Sequence, residues 1–140
     1  SIGCAKMGVH YSIVSPRSLF PDQRHLENCR SIAKESGAEI RVTDEIGPEL
    51  SGADAVYTDI WVSMGEEAKS DERLRLLRPY QVNDALMART GRKDSIFLHC
   101  LPAVKGNEVA VETIEGPASR VWDEAENRKH TIKALMLATL

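Results

Sequence analysis

Apolar and polar positions along this chain of 140 residues follow two rhythms. Short apolar runs bounded by turn residues read as strands, and stretches with apolar positions three and four apart read as helices. Residues 9–14 predict a strand that stops at Ser15-Pro16. After Pro21, Asp22 is placed to cap a helix whose apolar side is Leu26, Cys29, Ile32 and Ala33, and Gly37 closes it. Residues 39–43 predict a second strand, 44–50 a short helix or turn, and 53–58 a third strand. A charged helix over 66–78 stops before Pro79, and another starts at the cap Asn83 and ends near Gly91. The run from Ser95 to Leu98 is a fourth strand, buried on both faces by its composition, and 120–122 predict a brief fifth. In the last helix Asp123 and Glu126 have capping-box spacing, and Ile132, Leu135, Met136 and Leu140 make one apolar stripe.

This alternation predicts an α/β domain, a parallel sheet flanked by helices in three layers, Rossmann-like in its winding. Residues 2–7 followed by Gly8 read as the last turns of a helix with its C-cap. A βαβ unit places a strand and a ligand-facing turn ahead of such a helix, so the first βα unit is expected to be truncated and the chain to be a domain of a longer protein.

Composition narrows the function classes. Hydrophobic residues make up 42% and charged residues 28%, which suits a globular domain. Net charge is −3 and the eighteen Lys and Arg are scattered, so neither nucleic acid nor an anionic membrane is expected as partner. No apolar run reaches membrane-span length. Cys4, Cys29 and Cys100 are odd in number and far apart, which predicts no disulfide framework, no metal site and a reducing compartment, the cytoplasm.

Three clusters carry candidate chemistry. The fourth strand runs into His99-Cys100-Leu101-Pro102, and Pro102 cannot continue a sheet ladder. Carboxyl ends of strands in open α/β sheets face the ligand crevice, which puts a thiol and an imidazole at its lip. The third strand runs into Asp59-Ile60-Trp61-Val62-Ser63-Met64-Gly65. There a carboxylate is available for an ammonium, Ser63 and nearby N–H groups for an anion, and Trp61 and Met64 for apolar walls. Read alone, the same stretch is an ordinary loop whose Asp59 or Ser63 caps the next helix. The third cluster, residues 123–128, opens the last helix, where the terminus favours anions and Arg128 adds a charged fork. Its plainer reading is dipole stabilisation, with Arg128 paired to Glu124. All three clusters fall at the same predicted sheet edge.

Taken together and in this order, His99-Cys100-Leu101-Pro102, Asp59-x-Trp61-x-Ser63-Met64-Gly65 and Asp123-Glu124-Ala125-Glu126-Asn127-Arg128 resemble the aspartate/ornithine carbamoyltransferase family. The likeness is to the carboxy-terminal, ornithine-binding domain of its ornithine branch and covers essentially the whole chain, since aspartate-using relatives typically carry proline where Cys100 stands. The resemblance implies transfer of a carbamoyl group from carbamoyl phosphate to the side-chain amine of L-ornithine, giving citrulline and phosphate, in arginine biosynthesis or catabolism. It implies that Asp59 binds the α-amino group and that Ser63 and Met64 hold the α-carboxylate. It sets Cys100 beside the side-chain amine, the main chain of Cys100 and Leu101 at the carbamoyl group, and Arg128 on carbamoyl phosphate. No cofactor is implied. The carbamoyl-phosphate-binding, amino-terminal domain is expected to be absent from residues 1–140, the parent to be a homotrimer or a multiple of trimers, and the piece alone to be inactive.

The residue chemistry agrees with these roles. A neutral amine must attack an acyl carbon, so the site must ease deprotonation of an ammonium ion. Cys100 is expected to serve as a proton or hydrogen-bond partner rather than a covalent nucleophile. His99, next to it on a strand, is expected to point to the opposite face, which also argues against a Cys–His hydrolase. Two alternatives stay open: a carbamoyltransferase for putrescine or a modified ornithine, and a non-catalytic α/β module that binds an amino acid. Asp59 speaks against putrescine, which has no α-amino and α-carboxylate pair.

Overall fold

The computed structural model describes residues 1–62 and 70–140. The chain divides into two compact units, residues 1–49 and 50–140.

The first unit opens with helix α1 (Ile2–Met7) and strand β1 (Tyr11–Val14). Helix α2 (Gln23–Ser36) follows, then strand β2 (Ile40–Thr43) and the short helix α3 (Ile46–Leu50) at the unit boundary. Both ends of α2 are written in local chemistry. The Asp22 carboxylate accepts the N–H groups of Arg24 and His25, and Gly37 takes the left-handed conformation, φ 77°, that ends the helix. Its buried face is Leu26, Cys29 and Ala33, and Ala5, Cys29, Ala33 and Ile40 form one small apolar core. β1 and β2 pair in parallel, Tyr11 against Ile40 through Val14 against Thr43.

The second unit contains β3 (Ala55–Thr58), α4 (Ser70–Leu77), α5 (Asp84–Ala88), β4 (Ile96–His99), α6 (Val111–Ile114) and α7 (Val121–Thr139). Asn83 caps α5 by accepting the Leu86 N–H at 2.9 Å. β3 and β4 are parallel, with Tyr57 opposite Leu98 and Thr58 opposite His99. Their core is Val82, Phe97, Val109, Ile114 and Val121. The chain is thus an α/β protein of parallel strands flanked by helices, with the strands in two ladders of two.

Two expectations about the last segment are corrected. Residues 120–122 are not a strand: the segment touches β4 at one bridge, Ser119 with Phe97, and then coils into α7. The Phe97 N–H donates to Ala118 O and the Arg120 N–H to Phe97 O, after which Arg120 O already accepts the Glu124 N–H. That early helical bond starts α7 two residues before Asp123, so Asp123 and Glu126 form no capping box and Arg120 stands at the N-cap without a side-chain capping bond. Asp123 and Glu124 instead lie in the first turn, where their charge suits the helix dipole. The apolar stripe of α7 is present but stays exposed, Leu135 at 64% and Met136 at 55%. No helix among the described residues is long and apolar enough to cross a membrane.

Candidate active site

The parallel register of β3 and β4 brings the two strand ends side by side. One step beyond the Thr58–His99 pair come Asp59 and Cys100, and the Cys100 thiol donates to Asp59 Oδ1 at 2.9 Å. The same oxygen accepts the Ile60 N–H at 2.7 Å. Asp59 therefore does tie its own loop, as the plain loop reading expects, but it also accepts the thiol of the neighbouring strand end. Sequence spacing of 41 residues gives no local hint of that contact.

α7 packs against β4 and supplies the other wall. A cleft of about 390 Å³ is lined by Tyr57, Cys100, Glu124, Asn127, Arg128 and Thr131, with Ala125 beside them. Arg128 is exposed on this cleft and forms no ion pair with Glu124. Glu124 is engaged elsewhere, since its Oε2 accepts the His99 main-chain N–H at 3.0 Å. The carboxylate is thus tied to the end of β4 rather than paired with Arg128. Another hollow, about 290 Å³ and lined by Asp84, Met87, Arg92 and Gly116 among others, contains neither strand end. Strand ends rather than hollow size mark ligand crevices in this fold class.

The electrostatics of the cleft favour a protonated thiol. Burial pushes the Cys100 thiol up from its ordinary range, and the Asp59 carboxylate pushes it the same way, while Tyr57 pulls modestly against them. A thiol held protonated is a weak nucleophile and a serviceable hydrogen-bond donor. Burial, then the neighbouring Cys100 and Glu124, likewise hold the Tyr57 hydroxyl above its ordinary range. Tyr57 and Glu124 thus join the site beyond the residues that motif reading singled out.

The turn after Cys100 has an unusual backbone. Leu101 has φ 54°, a left-handed conformation that L side chains disfavour, and its bond to Pro102 is cis. The Leu101 N–H is taken by His99 Nδ1 at 2.9 Å, so the main-chain group Leu101 has left to offer a ligand is its carbonyl. His99 itself is fully buried and turned away from the cleft, as strand alternation predicts. Trp61 is buried at 7% exposure and is not among the cleft residues. Ser63 and Met64 lie outside the described residues.

The fold is matched among known proteins. The solved anabolic ornithine carbamoyltransferase of Campylobacter jejuni superposes with a TM-score of 0.89 at 34% identity, over 96% of this chain and 44% of that one. The sequence is 64% identical to the ornithine carbamoyltransferase of Pseudothermotoga lettingae over 139 residues, 99% of this chain and 44% of the relative. It is 61% identical to that of Caldanaerobacter subterraneus subsp. tengcongensis, over 100% of this chain and 45% of the relative. The family model for the aspartate/ornithine carbamoyltransferase Asp/Orn binding domain matches residues 1–139. The fold is that of an α/β carbamoyltransferase domain. The chain belongs to the aspartate/ornithine carbamoyltransferase family, and it spans somewhat under half the length of these relatives.

Proposed function

We propose that residues 1–140 are the ornithine-binding domain of an ornithine carbamoyltransferase, with carbamoyl phosphate bound chiefly by the remaining half of the enzyme. The side-chain amine of L-ornithine attacks the carbamoyl carbon, the bond to phosphate breaks, and citrulline and phosphate leave. The observation that carries this reading is the meeting of Asp59 and Cys100, 2.9 Å apart, with Cys100 and Arg128 lining the same cleft. A carboxylate, a protonated thiol and a guanidinium are the groups this chemistry requires for an ammonium, an amine in transit and a phosphorylated donor.

In this reading Asp59 takes the α-amino group, for which its Oδ2 has no partner among the described residues. Ser63 and Met64 receive the α-carboxylate, a role supported by the motif alone. Cys100 lies beside the side-chain amine and donates or relays a hydrogen bond. The main chain of Cys100 and Leu101 meets the carbamoyl group, and Arg128 contacts carbamoyl phosphate. Residues 1–140 supply these contacts but not those proposed for the remaining half of the enzyme, so they are expected to be inactive alone, and the whole enzyme is expected to assemble as a trimer or a multiple of trimers.

The test is citrulline formation by the full-length enzyme, with ornithine, putrescine and N-acetylornithine compared as acceptors. Turnover selective for ornithine supports the reading. Preference for either other amine overturns the substrate, and absence of any carbamoylated product overturns the reaction.

A further inference from the structure

His99 and Glu108 are both fully enclosed, at 0% side-chain exposure, and neither lines the cleft. Burying a carboxylate away from any cation is costly, and an apolar residue of similar size avoids that cost. The partners of Glu108 therefore point to its use. Its Oε1 accepts the Val104 N–H at 2.5 Å and faces His99 Nε2 at 3.3 Å. That approach is close but poorly aligned for a hydrogen bond, and Glu108 Oε2 and His99 Nε2 are buried without hydrogen-bond partners among the described residues. At the far side of the ring, His99 Nδ1 accepts the Leu101 N–H. An accepting Nδ1 carries no hydrogen, so the ring hydrogen is on Nε2, the nitrogen 3.3 Å from Glu108 Oε1.

The two amides held by this pair, Leu101 and Val104, bracket Pro102 and Ala103. Between them the chain passes through the left-handed Leu101, a conformation that persists only where its surroundings hold it. The pair thus grips one turn at both ends, and that turn directly follows Cys100.

We propose that the buried His99–Glu108 pair is a positioning device for the Cys100–Leu101 turn, holding its main-chain groups where they receive the carbamoyl group. This rests on the reading of the cleft as a carbamoyl-transfer site. The pair touches no substrate and acts through the Leu101 and Val104 amides.

The experiment uses the full-length enzyme with His99→Asn, His99→Gln, Glu108→Gln and Glu108→Leu. The Asn oxygen stands where Nδ1 stood and still accepts the Leu101 N–H, whereas Gln reaches the Nε2 position and leaves that amide unpaired. At position 108, Gln keeps an acceptor for Val104 and Leu removes it. A misplaced turn costs chemistry more than ground-state binding, so His99→Gln and Glu108→Leu are expected to lose about a hundredfold in kcat with little change in ornithine KM. His99→Asn and Glu108→Gln are expected to stay within about tenfold of the wild type, a rescue that a packing role does not produce. ¹⁵N spectra of the histidine ring in the wild-type enzyme are expected to show a bare Nδ1 and a hydrogen-bearing Nε2. Equal losses in the paired variants, losses confined to ornithine KM, or a hydrogen on Nδ1 would each overturn the proposal. A wild-type enzyme that makes no citrulline would overturn the function proposed above, and the ring spectra would still decide whether the turn is held as described.

Discussion

The two ladders are alike in length and in the parallel pairing of their strands, and they differ in what lies beneath them. Under β1 and β2 the buried side chains are apolar, with Ala5, Cys29, Ala33 and Ile40 at the centre. Under β3 and β4 the apolar core around Phe97 and Val109 also encloses His99, Glu108, Thr90, Ser95 and Thr113. The described side-chain polar atoms that are buried without a hydrogen-bond partner all fall in this second unit. The contrast shows where a fold spends stability. Apolar contacts suffice to hold a helix on two strands, whereas the turn with a left-handed leucine is held by buried acceptors on its amides.

The strongest way to sharpen that comparison is to remove the apolar part of the second core. Phe97 is 0% exposed, so Phe97→Ala is expected to cost about 3–5 kcal/mol in urea unfolding of the full-length enzyme. A loss below about 1 kcal/mol would mean that the polar network carries the unit without its core. Next in size is Asp59→Asn, which removes the carboxylate proposed to bind the ornithine ammonium. The ornithine KM is expected to rise about ten- to a hundredfold, with the carbamoyl phosphate KM nearly unchanged. An unchanged ornithine KM would reduce Asp59 to a loop tie through Ile60.

Smaller again is the difference between the two helix starts. Asp22 accepts two N–H groups at the start of α2, whereas Asp123 caps nothing in α7. Asp22→Ala is expected to cost about 1 kcal/mol, and Asp123→Ala less than about 0.5 kcal/mol, by thermal unfolding. Equal costs would break the reading of α7 as starting at Val121.

The subtlest effect concerns the Cys100 thiol. Because burial and Asp59 raise it, its iodoacetamide reaction is expected to be slower than that of free cysteine at pH 8, with the rate–pH curve displaced to higher pH. The sign follows from the reactive species: a raised thiol holds less thiolate at any pH below its midpoint. Cys100→Ala is correspondingly expected to retain measurable turnover with weaker ornithine binding, and no carbamoyl adduct is expected on Cys100 by mass spectrometry when carbamoyl phosphate is added alone. An adduct together with a dead alanine variant would establish a covalent thiol mechanism instead.

Much of the architecture was legible in the chain because its signals are local. Asp22 and Gly37 bracket α2, Asn83 starts α5, and the runs at residues 11–14, 40–43, 55–58 and 96–99 are strands, since caps and apolar runs act over a few neighbouring residues. The placement of Asp59 beside Cys100 also followed, because parallel strand ends share one edge of a sheet. Other features had no local signature. The short helix α6 carries no side-chain cap, and 120–122 reads as extended by its residues although α7 begins at Val121, just after the bridge at Ser119. Glu108 sits among Gly106, Asn107 and Val109 like any loop carboxylate, and only the packed fold encloses it against His99 and the Val104 amide. Sequence alone determined the elements and the chemistry offered at their ends, since those depend on bonds between near neighbours. The tertiary structure alone decided which polar groups are buried and whom they hold, because withdrawal from water is a property of everything packed around a group.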